Sequence, residues 1–512
     1  MIRLISLLAI GWSLAVAAAE RPNIIVILAD DQGFGDFSAN NPQSKIPTPQ
    51  LDRLAAQGLR FTDGHTSSGV CTPSRYSLLT GRYHWRTHLQ SGVLGGFSPP
   101  LISRDRLTIA GMLKAQGYVT GCFGKWHLGL GWPLKDGSVA DDGGDYSKEY
   151  QKMGSIDYSA DIKDGPLEHG FDTFYGISAS LDMPPFVWIK DRRVTEIPSV
   201  TKKWLRSGPA GPKFEAIDVL PSVIDHTIDF IAERKKADPM RPFFAYVALN
   251  APHTPIVPTK EFQGSSGISP YADFVRQVDA DVGRLLVALD KQGLSESTLV
   301  IFTSDNGCST AANIPELHKS GHEPSYVYRG NKADAYEGGH RVPFVVRWPG
   351  KVKPGVSGAL VGQIDFMATF SEIIGNAGSP MAGEDSASFL PVLLGQKAAA
   401  RQGIVSQSIN GSFAIRDGQW KLILCPGSGG WSAPHPGTKE EAGLPAVQLF
   451  DLSQDIGERN NLQDKYPERV AAMKAELDKI IAHGRSTPGD DLKNDVPVQV
   501  VKKAGKKKLA DK

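Results

Sequence analysis

Asn23-Ile24-Ile25-Val26-Ile27-Leu28, running straight into Ala29-Asp30-Asp31, is an unbroken apolar, β-branched stretch that stops at two carboxylates. A strand wetted on one face alternates apolar with polar residues, whereas one buried on both faces does not. This stretch therefore predicts an interior strand of a parallel sheet. Two further runs read the same way. Pro242-Phe243-Phe244-Ala245-Tyr246-Val247-Ala248-Leu249 is one, and Leu299-Val300-Ile301-Phe302, leading into Thr303-Ser304-Asp305-Asn306-Gly307, is the other. Helical patterns lie between them. Thr48-Pro49 opens a helix through Ala56 that Gly58 closes, Leu107 to Gln116 ends at Gly117, and Tyr271 to Lys291 is a long amphipathic run. A short strand, Tyr118-Val119-Thr120, follows the second helix. Alternating strands and helices predict an α/β fold: a large mixed, mostly parallel sheet flanked by helices. Ligands in such sheets bind beyond the carboxyl ends of the strands. The polar residues that end these runs are the predicted site.

Beyond about residue 400 the texture changes. Ser412 to Arg416 and Gln419 to Leu424, joined by Asp417-Gly418, read as a β-hairpin. Gln448 to Leu452 is a further strand, and Tyr466 to His483 a last helix. A smaller C-terminal antiparallel sheet with one helix is expected. The division is a signal peptide at 1–19, an N-terminal catalytic domain at 20–400, a C-terminal α+β subdomain at 401–490 and a basic disordered tail at 491–512. The signal peptide rests on Met1-Ile2-Arg3, the apolar run Leu4 to Val16 and Ala17-Ala18-Ala19. It predicts a periplasmic or secreted protein. No later stretch approaches the roughly 20 apolar residues of a membrane helix, so no integral segment is expected after signal removal. Gly131 to Pro166 and Pro426 to Gly443 read as long loops that shape access.

A net charge of +1 over 512 residues gives no broad electrostatic capture of nucleic acid or membrane. Any anion preference must be local. Four cysteines (Cys71, Cys122, Cys308, Cys425) are too few for a disulfide scaffold and read as buried thiols.

Asp30-Asp31 and Asp305-Asn306 are oxygen donors at two strand ends. Either pair alone reads equally well as a helix cap or a turn; together they suit a hard cation such as calcium or magnesium. Asp36 is assigned to supporting its loop. Cys71-Thr72-Pro73 marks a helix start and places Cys71 at its N-terminus, with Arg75 one turn along on the same face. A thiolate nucleophile is one reading. Sulfur is a poor ligand for a carboxylate-held cation, and an oxygen-bearing side chain at this position is the other reading. Gly124-Lys125-Trp126-His127-Leu128-Gly129 follows a strand, and its spacing predicts that Lys125 and His127 point the same way. Ala251-Pro252-His253-Thr254-Pro255 places a histidine just past another strand, and Arg329-Gly330-Asn331-Lys332 supplies a second lysine. Cations clamp a transferring anion and histidines relay protons. His65, His84, His88, His322 and His340 are read as structural or peripheral. In the loop Leu181-Asp182-Met183-Pro184-Pro185-Phe186-Val187-Trp188, Trp188 is either packing or a sugar-stacking ring.

The string Cys71-Thr72-Pro73-Ser74-Arg75, continued by Leu78-Leu79-Thr80-Gly81-Arg82, resembles the modification signature of formylglycine-dependent type I sulfatases. The other strings follow in that family's order, and the resemblance spans about residues 21 to 485. It implies an alkaline-phosphatase-like fold and a cysteine oxidised to an aldehyde (formylglycine) by a sulfatase-maturating enzyme. It also implies a calcium ion bound by Asp30, Asp31, Asp305, Asn306 and the modified Cys71. On the family mechanism one hydroxyl of the hydrated aldehyde attacks sulfur, with Asp305 assisting. His253, helped by Lys332, protonates the leaving alcohol. His127 then removes the second hydroxyl's proton, expelling sulfate, while Lys125 and Arg75 stabilise the charge. The implied substrate is a sulfated carbohydrate or an aryl sulfate. The alternatives are a formylglycine-dependent phosphonate monoester or phosphodiester hydrolase and an unmodified sulfoglycan-binding homologue.

Overall fold

The computed structural model describes residues 21–141, 153–376, 382–396 and 401–500. The signal-peptide assignment at 1–19 and the lysine-rich end at 502–508 lie outside the described residues.

Asn23–Ala29 is an interior strand, and Ile24 through Ala29 are fully buried. It pairs in parallel with Thr298–Ser304 on one side and Phe243–Ala248 on the other. Val119–Lys125 and Thr173–Ile177 continue the parallel order. Antiparallel pairing enters at both margins, through Phe344–Arg347 against Thr298–Ser304 and Ile189–Lys190 against Thr173–Ile177. The sheet has ten strands and is mixed but mostly parallel at its centre. Alternate residues of the central strand feed two different cores. Ile24, Val26 and Leu28 pack with Tyr76 and Leu79 of the helix Cys71–Thr80 and with Ile109 and Leu113 of Ile109–Ala115. Ile25 and Ile27 pack with Leu54 of Pro49–Ala56, Val223 of Val219–Ala237 and Val278 of Pro270–Lys291. Helices on both faces are why the strand carries no polar alternation.

The strand expected at 118–120 runs on to Lys125. Gly121 and Gly124 hid its length, because glycine is a weak strand residue. Gly124 is required by close approach: with φ at +104°, a Cβ there would lie 1.9 Å from the Ala248 carbonyl oxygen.

The C-terminal sheet is antiparallel, in the order Gly403–Gln407, Phe413–Asp417, Trp420–Ile423, Gln448–Asp451. Val470, Met473 and Leu477 of the helix Pro467–Ala482 cover it. Residues 491–500, assigned to the tail in the sequence reading, are instead tied down. Asp495 pairs with the buried Arg82, Asn494 accepts from Arg86, and Val498 and Val500 pack on the small sheet's core. Burying two arginines requires acceptors, and this segment adds to those that Glu384 and Asp385 supply. No helix among the described residues is long and apolar enough to cross a membrane.

Candidate active site

The central strands deliver their polar ends to one place. Asp30 and Asp31 follow Ala29, Asp305 and Asn306 follow Ser304, and Lys125 ends its own strand. The Asp30 amide donates to the Ala251 carbonyl at 3.0 Å, which ties the His253 loop to the first strand end. All of these residues are buried.

Three cations meet three carboxylates. Lys125 Nζ donates to Asp30 Oδ2 at 2.7 Å, and Lys332 Nζ to Asp31 Oδ1 at 2.5 Å. Arg75 gives Nε and Nη2 to Asp305 Oδ2, at 3.0 and 2.8 Å, and Nη1 to the Lys125 carbonyl at 3.0 Å. Burial alone would raise the Asp30 carboxyl, but Lys125, His253, Arg75 and Lys332 together hold it well below the carboxylate range. Asp305 goes the other way: burial and the Asp30 charge push it up to about 6. Burial would lower the Lys332 ammonium, yet Asp31 and its neighbours raise it above the ordinary lysine value.

Oxygen atoms without partners mark the centre. Asp30 Oδ1, Asp31 Oδ2 and Asn306 Oδ1 are buried and accept no hydrogen bond. Asn306 cannot face the other way, because its Nδ2 donates to Asp31 Oδ1 at 2.7 Å. Buried acceptors left unmet are costly, and a hard cation satisfies all three at once. The donor set fits calcium or magnesium. The oxygens of Asp305 are more engaged, since Oδ1 also accepts the Asp31 amide at 3.3 Å. His253 joins Asp30 and Asp31 in the same cluster, with Nε2 3.8 Å from Asp31 Oδ2.

Cys71 begins its helix, as the Pro73 signal predicts. Burial pushes its thiol above the usual value; Lys125 and Lys332 oppose that, and Asp305 and Asp30 add to it. The thiolate reading therefore fares poorly here, despite the helix N-terminus. Arg75, one turn along, reaches the Asp305 carboxylate.

Lys125 and His127 stand close enough for the ammonium to act on the ring, but strand alternation is not what places His127. The strand ends at Lys125, and His127 has φ at +56°, so the two-residue alternation is lost. His127 Nε2 lies 2.7 Å from the Leu94 carbonyl, while Nδ1 is buried with no partner. Burial, Lys125 and Arg75 hold the ring well below ordinary histidine. The ring is neutral, Nε2 must carry the proton that meets the carbonyl, and Nδ1 is left with a lone pair. That is the form of a proton acceptor.

Left-handed backbone recurs at this site. Asp31 (φ +68°), His127 (φ +56°) and Ala333 (φ +80°), next to Lys332, all adopt it without being glycine. Such conformations are strained and cluster where structure fixes function. Asp36 supports its loop as expected, bonding His322 Nε2 at 2.8 Å and the Gly33 amide at 2.8 Å. Trp188 packs against Tyr175, with ring centroids 4.8 Å apart, and against Phe214. It is part of the core rather than a sugar platform.

Sequence reading missed what the small sheet contributes. His65, His340 and Glu337 form a buried cluster with Lys421, whose Nζ lies 2.9 Å from Glu337 Oε1 and 3.0 Å from His340 Nε2. The 426–443 loop bonds to Asp334, two residues beyond Lys332, through the Trp431 and Ser432 amides. No local signal announces either, because both are crossings between distant parts of the chain.

The sulfatase family model matches residues 22–376. An N-acetylgalactosamine-6-O-sulfatase of Bacteroides thetaiotaomicron is 33% identical, over 90% of this chain and 93% of the relative. Arylsulfatase A of Homo sapiens is 33% identical, over 94% and 92%. A solved structure from work on glycosaminoglycan metabolism by Bacteroides thetaiotaomicron superposes with a TM-score of 0.78 at 33% identity, covering 90% of this chain and 99% of that one. The chain belongs to the sulfatase family and is a sulfate-ester hydrolase.

Proposed function

We propose that the protein releases inorganic sulfate from a sulfated carbohydrate, using a formylglycine made from Cys71 by a maturating enzyme and a calcium ion at the strand ends. The observation that carries this reading is the set of unpartnered oxygens on Asp30, Asp31 and Asn306, gathered with Asp305 around the start of the Cys71 helix. A hydrated aldehyde at position 71 would supply one hydroxyl to attack sulfur and a second to drive release, and the cation, held by Asp30, Asp31, Asp305 and Asn306, would supply charge opposite the sulfate oxygens. The protein's own groups do the rest. Lys125 and Lys332 present ammonium groups to the anion, and Arg75 fixes the Asp305 carboxylate. His253 keeps Nδ1 on the Thr254 carbonyl at 2.6 Å and turns Nε2 toward the centre, where it protonates the leaving oxygen. His127 accepts a proton at Nδ1 from the residue 71 side.

A sugar substrate is supported by the N-acetylgalactosamine-6-O-sulfatase similarity. The N-terminal segment 1–19 supports a periplasmic or secreted location, and the two sheets support a catalytic unit at 20–400 with an α+β subdomain at 401–490. Two measurements test the chemistry. Peptide mass spectrometry of native-host protein should find the aldehyde at position 71. The protein should release sulfate from N-acetylgalactosamine 6-sulfate and hydrolyse p-nitrophenyl sulfate in preference to bis(p-nitrophenyl) phosphate. A clear phosphodiester preference would move the assignment to the phosphodiesterase reading. Unmodified Cys71 throughout, with sugar binding but no turnover, would favour a binding protein.

A further inference from the structure

Two side chains flank the proposed leaving-group residues without a part in the chemistry above. Asp182 lies in the turn after Thr173–Ile177, and its side chain is only 9% exposed. Its Oδ2 pairs with Arg206 Nη1, while Oδ1 is buried and accepts no hydrogen bond. Oδ1 lies 4.0 Å from His253 Nδ1, but that nitrogen already meets the Thr254 carbonyl, so His253 is not its missing donor. Buried acceptors are normally met, and an unmet one beside a reacting centre marks where a ligand's donor sits. Trp431 is the second. It is 39% exposed, and the Lys332 ammonium lies 5.9 Å from its ring. Its amide donates to Asp334 Oδ1 at 2.8 Å, which ties its loop to the segment that carries Lys332. His253 and Lys332 face different oxygens of Asp31, and Asp182 stands beside the first and Trp431 beside the second.

We propose that this half of the site is a pyranose subsite. Asp182 Oδ1 accepts a hydrogen bond from the ring hydroxyl nearest the sulfated oxygen (the C4 hydroxyl of a 6-sulfated pyranose), and Trp431 packs on the apolar face of the ring. The proposal rests on the sulfatase reading in placing His253 and Lys332 at the leaving oxygen. A simple aryl alcohol has no neighbouring hydroxyl, so Asp182 selects sulfated sugars over aryl sulfates. A carboxylate is a strong acceptor, and a site built for a hydroxyl discriminates against ligands that lack one.

The test compares kcat/KM for N-acetylgalactosamine 6-sulfate and for p-nitrophenyl sulfate. Asp182→Asn should lower the sugar-to-aryl ratio about 10- to 100-fold, which is about 1.4–2.8 kcal/mol at 1.4 kcal/mol per tenfold. Trp431→Ala should raise KM for the sugar about tenfold with a smaller change in kcat, and Trp431→Phe should restore most of it. An equal fall on both substrates in Asp182→Asn would make Asp182 a positioning residue for His253 and overturn the subsite. Binding gives a readout free of turnover. Calorimetry of N-acetylgalactosamine 6-sulfate with Cys71→Ala protein should show weaker binding when Asp182→Asn is added, and equal affinities would overturn the proposal. Weakened binding in a protein that turns over neither substrate would support the subsite while sinking the proposed chemistry.

Discussion

Replacing Lys421 by methionine isolates the buried ionic link between the small sheet and the catalytic loops. Lys421 Nζ lies 2.9 Å from both Glu337 Oε1 and Glu458 Oε1, and its side chain is 1% exposed. Methionine fills much of the same volume, so the loss is mainly of charge. Glu337 keeps Arg341, whose Nε is 2.7 Å from Oε2, but Glu458 loses its cation. Breaking a buried pair from one side costs about 3–5 kcal/mol, because the remaining charge is stranded. Glu458 has a way out. Burial pushes its carboxyl up to about 7 even beside Lys421, and without the lysine it rises further. The native variant therefore holds a proton on Glu458 above pH 7, where the native parent has released it. By linkage the gap between parent and variant widens with pH, by about 1.4 kcal/mol per unit above 7. Urea unfolding at pH 6 and pH 8 should show a penalty of about 3–5 kcal/mol at pH 8 and one about 1–2 kcal/mol smaller at pH 6. Measured in a Glu458→Gln background, the Lys421→Met penalty should lose its pH dependence. A penalty under about 1 kcal/mol at pH 8, or one that shrinks as pH rises, would refute the account.

Three further outcomes follow from the site itself. Arg75→Lys should cut kcat at least tenfold, since an ammonium cannot give Asp305 two donors while also reaching the Lys125 carbonyl; activity near that of the parent would contradict the fork geometry. Gly307→Ala should destabilise by about 1–3 kcal/mol and depress turnover, because its Cβ would sit 1.9 Å from the Gly338 carbonyl oxygen and force Asn306 aside; an unchanged thermal midpoint would count against this. Calcium should raise the thermal midpoint of the chelated protein, by an amount corresponding to about 2.7 kcal/mol at a hundredfold excess over its Kd. Asn306→Ala should blunt that rise, and an identical shift in both proteins would remove Asn306 from the ligand set.

How legible each part was depended on whether its cause is local. Asn23–Ala29 was readable because double-sided burial leaves a mark in the composition itself. Val119–Lys125 was not, since its glycines answer to a backbone at Ala248 that lies far away in sequence. The helix start at Cys71 followed from Pro73, a local rule. The bend at His127 followed from no rule, because nothing near it in the chain requires a left-handed residue. Asp182 and Trp188 were both visible in one loop, but that the first lies against His253 and the second against Tyr175 is set by distant parts of the chain. The same holds for 491–500: its sequence looks like a tail, and contacts with the distant Arg82 and Arg86 and with the small sheet's core make it structure.

Charge counting explains why the lysines and the carboxylates belong together. Asp30, Asp31 and Asp305 are opposed by Arg75, Lys125 and Lys332, each through a direct contact. Three against three leaves no net charge, and none of the six side chains is stranded, so folding this centre does not depend on a metal arriving first. A divalent cation held there, as proposed, would raise the centre to a net charge of two. A sulfate ester carries one negative charge and free sulfate two, so the loaded site opposes more charge as the reaction proceeds. Had the carboxylates stood without lysines, the cation would have been cancelled and little would remain for the substrate. Had the lysines stood without carboxylates, the ion would not bind. The balance also assigns a cost to any single change: Lys332→Ala leaves the Asp31 charge opposed only by His253, and so would disturb the proposed metal, proton donor and anion sites together. Its effect on turnover should therefore exceed the product of separate losses at the sulfate and at the leaving oxygen.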